Sequence, residues 1–196
     1  MDNEPLALLE RALHQVGQVL SEVRDDQQDL PSPCRSWTVA QLGDHLIFDL
    51  RQFTVTAGGG SPDWSAPTTP VPARERPTTF RAGADNLLET WRRAGDLTGT
   101  ITLPMMGEVP ARFPVDQQIA EFAVHAWDLA RATGQSTDLD PQVGQLALDW
   151  MRGTLRPEFR GPESAGKAFG PESPISPEAP LYTRLAAFAG REVSHS

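Results

Sequence analysis

The sequence predicts an all-α protein, a four-helix bundle with extra short helices and a small β-hairpin. Three observations carry this. Apolar residues recur at helical spacing in four or five separate segments. No regular alternation of strand and helix runs through the chain, which argues against a parallel sheet. Only one short stretch, around residues 100–113, alternates as a half-buried strand does.

The first helix is predicted from about Pro5 to Arg24, with Leu6, Leu9, Leu13, Val16 and Leu20 on one face. Pro5 suits a first helical turn. His14 lies beside that stripe and is read as a boundary or surface residue. A polar connector, Asp25 to Ser36, carries Pro31, Pro33 and Cys34. Cys34 beside Arg35 could be an activated thiol. The preferred reading is a small, partly buried loop residue, because free cysteine usually just packs.

Thr38-Val-Ala-Gln41 has the form of a capping box and opens the second helix. Val39, Leu42, Leu46, Leu50 and Phe53 form its apolar face, with His45 on the edge of that face. Asp49, one turn on, could accept the far ring N–H of His45 or simply face solvent. Residues 57–78 form a long loop rich in Gly, Pro, Ser and Thr, with Trp64 its one large apolar group. A loop of this length reads as a lid or a site wall, or else as disordered. The third helix is predicted over Thr79 to Asp96, facing inward through Phe80, Ala84, Leu87, Leu88 and Trp91. Glu89, Arg92 and Arg93 face outward.

Thr100–Leu103 and Val109–Phe113 are predicted as two short extended pieces around Pro104-Met-Met-Gly107. Met105 and Met106 are read as loop packing, with a cleft lining as the alternative. The fourth long helix runs from near Val115 to Gly134, its C-terminal cap. Asp140-Pro141 supplies an N-cap and a first-turn proline for a helix to about Arg152. A second irregular stretch, Pro157 to Pro180, contains six prolines. A last short helix, Leu181 to Ala189, precedes a tail holding His195, read as frayed.

The fourth helix carries the chemistry. Glu121 and His125 are four apart, so their Cβ atoms stand roughly 5–6 Å from each other on the shoulder of the apolar face. A carboxylate and an imidazole there can hold a divalent metal once a third ligand arrives from another helix. His45 is the candidate. The set His45, Glu121 and His125 leaves a coordination position open for water or substrate, the mark of a catalytic site. Zinc, nickel, ferrous iron and manganese all suit two imidazoles and a carboxylate. Asp128 and Asp49 are candidate supporting or structural groups. Arg131 is read as a helix-surface residue, with pairing to Asp128 or contact with an anionic cosubstrate as alternatives.

Bulk composition narrows the function. The 196 residues suffice for one domain, 1–196, with a real core. The net charge of -9, with no basic cluster, argues against nucleic acid and against an anionic membrane surface. No run approaches the roughly 18 apolar residues of a membrane span. The first residues lack the basic and apolar pattern of a secretory signal. One cysteine excludes an internal disulfide. The chain is read as cytoplasmic. One lysine, Lys167, against sixteen arginines fits a high-GC bacterial genome.

Several phrases resemble a known family. Ser32-Pro-Cys34-Arg-Ser-Trp37-Thr-Val-Ala-Gln-Leu42-Gly-Asp-His45-Leu is similar to the second-helix signature of the DinB-like bundles. The closest likeness is to the actinobacterial branch related to the metal-binding domain of mycothiol-dependent maleylpyruvate isomerase. His125-Ala-Trp127-Asp128-Leu-Ala-Arg131-Ala-Thr-Gly134-Gln is similar to that branch's most specific motif. Phe169-Gly-Pro-Glu-Ser-Pro and Arg184-Leu-Ala-Ala-Phe188-Ala-Gly-Arg191 resemble its C-terminal pattern. The resemblance implies that His45, Glu121 and His125 bind a metal, usually zinc, and that mycothiol is a cosubstrate. Many relatives carry Asp where Glu121 stands; the extra methylene alters reach, not ligand type. The isomerase carries a further C-terminal domain, which this sequence, ending at Ser196, is expected to lack, so the expectation is related chemistry rather than maleylpyruvate isomerisation itself. The resulting expectation is a metal-dependent thiol transferase or isomerase acting on a small electrophile. The alternatives are a metal-dependent hydrolase and a non-catalytic metal-binding module acting as a homodimer.

Overall fold

The structure, a computed structural model, describes residues 4–34, 36–95, 97–103 and 107–193. Arg35, Met105, Met106 and His195 lie outside the described residues. Six helices and one hairpin follow in order: α1 (Glu4–Ser21), α2 (Val39–Ala57), α3 (Arg76–Ala94), β1 (Thr100–Leu103), β2 (Gly107–Pro110), α4 (Phe113–Thr133), α5 (Pro141–Thr154) and α6 (Leu181–Phe188). Short 3₁₀ turns at Asp25–Gln27, Ala73–Glu75, Pro157–Phe159 and Glu163–Ala165 punctuate the connections. The all-α expectation holds.

Helices α1 to α4 form the bundle: α1 packs on α3 and α4, and α2 packs on α3 and α4. The added helices α5 and α6 pack on α4 and on each other. Leu9, Leu42, Leu46, Phe80, Leu87, Ile119, Phe122 and Leu129 are fully enclosed between them. Phe122 lies edge-on to both Phe53 and Phe80, with ring centroids 5.9 Å and 6.1 Å away, and so joins α2, α3 and α4. No helix among the described residues is long and apolar enough to cross a membrane.

The termini of α2 and α4 follow the local signals. Thr38 Oγ1 accepts from the Gln41 N–H at 3.3 Å, and Gln41 Oε1 accepts from the Thr38 N–H at 2.9 Å, the reciprocal box expected at this start. Gly134 ends α4 at φ 70°, a left-handed position that glycine takes without a Cβ clash. Asp140 caps α5 through the N–H groups of Gln142 and Val143. It also takes a two-pronged contact from Arg11 of α1, with both N–O distances 2.7 Å.

Several boundaries differ from the sequence reading, among them the end of the first helix, at Ser21 and not Arg24. The third helix begins at Arg76, not Thr79, because Pro77 serves as a first-turn residue instead of ending the loop. The second strand is Gly107–Pro110, not Val109–Phe113; Ile101 faces Val109 and Thr100 faces Pro110. Pro110 has no N–H to extend the ladder, and Pro114 favours a helical first turn, so Phe113 belongs to α4.

The loop over 57–78 also differs. Trp64 is 52 % exposed and lies against Phe53 and Phe48, at 5.3 Å and 6.3 Å between ring centroids. The loop is moored at its far end, where the Val71 N–H donates to Asp44 Oδ1 at 3.0 Å. The same carboxylate takes Arg76 Nε at 2.8 Å, and Arg76 also reaches Gln28. This pair is about one-tenth exposed on each side, so neither charge has water to fall back on. We expect Asp44→Ala to lower unfolding stability by about 3 kcal/mol, since it strands the Arg76 guanidinium. Urea unfolding followed by circular dichroism measures this.

The C-terminal turn is held by a backbone constraint. Gly190 sits at φ 80°, and a Cβ there would meet Gly170 backbone atoms at 2.5–2.7 Å. We expect Gly190→Ala to cost about 2 kcal/mol or more, combining left-handed strain with the clash. The same unfolding experiment checks it, with Gly153→Ala, where a Cβ has open space, as the control.

Candidate metal centre

The candidate site lies where α2 meets α4. The inward stripe of α2 through Leu42, Leu46 and Leu50 leaves His45 on its flank, turned toward α4. On α4, Glu121 and His125 fall one turn apart on the facing side. His125 Nε2 is 2.8 Å from Glu121 Oε1, and His45 Nε2 is 3.5 Å from the same oxygen. The three side chains therefore offer donor atoms within 4.8 Å of one another. The imidazole rings stand nearly perpendicular, 5.2 Å between centroids.

This donor set fits a divalent ion. Ligands about 2.0–2.1 Å from a tetrahedral zinc stand roughly 3.3–3.4 Å apart. The His45–Glu121 separation of 3.5 Å is already near that value. The 2.8 Å contact between His125 and Glu121 is a hydrogen bond and needs to open by roughly half an ångström.

Further residues hold the rings in place. Asp128 Oδ2 lies 2.9 Å from His125 Nδ1, which leaves Nε2 to face Glu121. Asp128 is fully enclosed and takes three contacts from Arg191 of the C-terminal turn, the shortest 2.9 Å from Nη2. Arg191 Nη2 also approaches Cys34 Sγ at 3.4 Å, and Nη1 donates to the Ala189 carbonyl at 3.2 Å. Trp37 covers His45, with ring centroids 4.4 Å apart.

The charges follow from this geometry. Burial opposes ionisation of His125, but Glu121 and Asp128 on its two nitrogens outweigh it and hold the ring well above the usual imidazole range. Burial would also raise Glu121; His125 and then His45 reverse this and hold it well below the carboxylate range. For Asp128 burial is again opposed, here chiefly by Arg191, and the net shift is downward. Asp49 is different. Burial and the neighbouring charge of Glu121 both push it well above the carboxylate range. Burial lowers His45, and it raises the Cys34 thiol.

Several sequence expectations meet the structure here. His45, Glu121 and His125 come together. His14 is exposed on the far side of α1, as read. Asp128 supports His125, but its cation is Arg191, while Arg131 is exposed. Asp49 lies 3.1 Å from Nε2 of His45, the same nitrogen that faces Glu121, and not on the far ring nitrogen. Cys34 is buried as read, yet it adjoins the site. Its sulfur, His125 and Asp128 form a second close group. Arg191 lies against both Asp128 and Cys34, so its charge repels a cation there, and the His45, Glu121, His125 group is the better ligand set.

The cleft over these atoms, about 360 Å³, is walled by Cys34, Trp37, Glu163, Lys167, Phe169 and Arg191 together with the three donors. Its roof is residues 163–169 of the proline-rich stretch, not the Trp64 loop. Ser36 Oγ donates to Glu163 Oε1 at 2.6 Å, tying that roof to the Cys34–Trp37 turn. Arg191 and the roof were not assignable from periodicity, because neither belongs to a helix face.

Comparison with known proteins gives the family. Residues 9–130 match the family model described as the mycothiol maleylpyruvate isomerase N-terminal domain. Two uncharacterized proteins of Mycobacterium tuberculosis, one from strain CDC 1551 / Oshkosh and one from strain ATCC 25618 / H37Rv, are each 36% identical over 195 residues. Each match covers 97% of this chain and 99% of the relative. No solved structure matches the chain. His45, Glu121, His125 and Asp128 all fall inside the matched stretch, which spans more than half of the sequence, and the chain belongs to the mycothiol maleylpyruvate isomerase N-terminal domain family.

Proposed function

We propose that the protein is a metal-dependent enzyme that uses a low-molecular-weight thiol, mycothiol, on a small electrophile, in transfer or isomerisation chemistry. One observation carries this: three donor atoms from two helices converge at the floor of an open cleft, with His125 already oriented by Asp128. His45, Glu121 and His125 would hold the ion, zinc by preference, with nickel, ferrous iron and manganese suited to the same donors. A divalent ion there would lower the pKa of a thiol or water in its open position, supplying a nucleophilic anion near neutral pH.

The chain's own residues do the rest. Asp128 keeps the Nδ1 proton of His125, so Nε2 is the nitrogen offered inward. Arg191 balances the Asp128 charge and lets a carboxylate persist in full burial. Trp37 shields the outer side of His45 from water. The cleft stays open between the roof and α4, leaving room for a thiol and its acceptor. Family membership favours thiol chemistry over hydrolysis with the same ligands, and thiol-dependent turnover separates the two.

Elemental analysis on protein purified without a histidine tag tests the ligand set. His45→Ala, Glu121→Ala and His125→Ala should each abolish about one tightly bound metal per chain with helix content preserved. His14→Ala should leave the metal in place. Retention of metal by His45→Ala would remove α2 from the site.

Asp128→Asn should weaken zinc affinity by roughly 10- to 100-fold, because the amide no longer fixes the ring as the carboxylate does. Competition with a chromophoric chelator gives that ratio.

The pH dependence has a definite sign. In the metal-free site His125 holds a proton at neutral pH, and metal must displace it. Below the raised pKa, apparent zinc affinity should therefore climb roughly tenfold per pH unit, flattening once His125 is neutral without metal. Chelator competition from pH 6 to pH 9 follows the slope.

A further inference from the structure

A second cavity opens beside the cleft. It holds about 420 Å³, within the size range of small-molecule sites. Its wall is apolar: Phe113, Trp150, Met151, Leu155, Phe159 and Phe169. The two spaces are contiguous. Both are bounded by Glu121 and Val124 on α4, and both lie under Gly166–Phe169 of the roof. The α4 floor is one helical stripe, Phe113, Gln117, Ala120, Glu121 and Val124, which includes the carboxylate shared with the candidate metal centre.

We infer that this apolar cavity holds the body of the electrophile, which is an uncharged, largely aromatic or branched-apolar molecule with its reactive end toward Glu121. The inference rests on the thiol-transfer reading for the word electrophile, but the cavity's preference stands on its own lining. Phe113 and Trp150 lie 5.3 Å apart between ring centroids at a tilt of 57°, and Phe169 of the roof adds a third ring to the lining. Phe159, a large apolar residue, is 52 % exposed on the cavity wall. The lining offers two charged side chains, Glu121 and Lys167, and Lys167 Nζ already donates to the Glu158 carbonyl at 2.7 Å. A dicarboxylate would therefore enter with its two charges facing Glu121 and poorly compensated, at a desolvation cost that an apolar acceptor does not meet. Each apolar group that leaves water for these rings gains in proportion to the area it buries.

The test uses N-phenyl-1-naphthylamine, a neutral aromatic whose fluorescence rises in apolar surroundings, titrated into the zinc-supplemented protein. The expected result is saturable binding at one site, displaced by naphthalene and not by maleate at equal concentration. Leu155→Arg and Thr154→Trp, one charging and one filling the cavity, should each weaken the probe roughly tenfold or more while thermal unfolding midpoints stay within a few degrees. His125→Ala should retain the probe while losing metal, so failure of the metal reading and failure of this inference give different results. Absence of saturable binding to the wild type, displacement by maleate, or binding unmoved by both folded cavity variants overturns the inference.

Discussion

The carboxylate of Asp128 is the constraint on which the site depends. It has no exposed surface, and an isolated charge in that position would cost several kcal/mol. It is stable there because two cations approach it, His125 from one turn back on the same helix and Arg191 from 63 residues further along the chain. That second contact reaches across the molecule. It ties the C-terminal turn to the central helix, and through Asp128 it ties the same turn to the orientation of an imidazole. Gly190, in its left-handed conformation against Gly170, delivers Arg191 to that point. A change in the C-terminal turn is therefore a change at the candidate metal centre, although no residue of the turn is among the three donors.

Helix α4 bears this arrangement because it is buried nearly all round. It touches α1, α2, α5 and α6, so it has no continuous solvent face on which to place polar groups. Its enclosed charges Glu121, His125 and Asp128 must find partners inside, and they do so with one another, with His45 of α2 and with Arg191. Arg191, Asp128, His125 and Glu121 alternate in sign along a connected path ending at His45. Such an arrangement carries little net charge, which is what a low-dielectric interior tolerates. Adding a divalent ion disturbs that balance, and the release of the His125 proton partly restores it.

Local chemistry made some of this legible in the sequence. The capping box at Thr38 and Gln41, the glycine after α4, and the i, i+4 spacing of Glu121 and His125 are each decided within one or two turns of chain. They could be read without knowing what packs where. Pairing His45 with them needed two helices to be brought together, and the family-like phrases around both carried that step. Arg191, Cys34 and the roof at residues 163–169 were a different matter. Arg191 contacts Asp128 only because α6 folds back over α4, and Cys34 adjoins it only because the connector before α2 lies beneath. No periodicity reports on closure between segments 157 residues apart. Asp49 shows the finer limit: its spacing from His45 was plain, but which ring nitrogen it meets depends on a rotamer fixed by Trp37 and Glu121.

The two cavities divide a single helix face by chemistry. From Phe113 to Val124 the cavity-lining stripe of α4 runs from apolar to ionised and back within about three turns, and Glu121 stands where the two kinds of surface meet. A carboxylate at that boundary acts in two directions. Toward His45 and His125 it supplies the negative charge that draws a cation to the cleft. Toward Trp150 and Phe169 it repels anions and leaves apolar contact as the main source of attraction. Under the proposed function, a thiolate nucleophile and an uncharged acceptor are the reactants that such a face would separate, the anion on the cation side and the carbon skeleton on the other. On that reading, discrimination between acceptors would fall to the rings and to the roof segment that covers both spaces, while the three donors keep their arrangement.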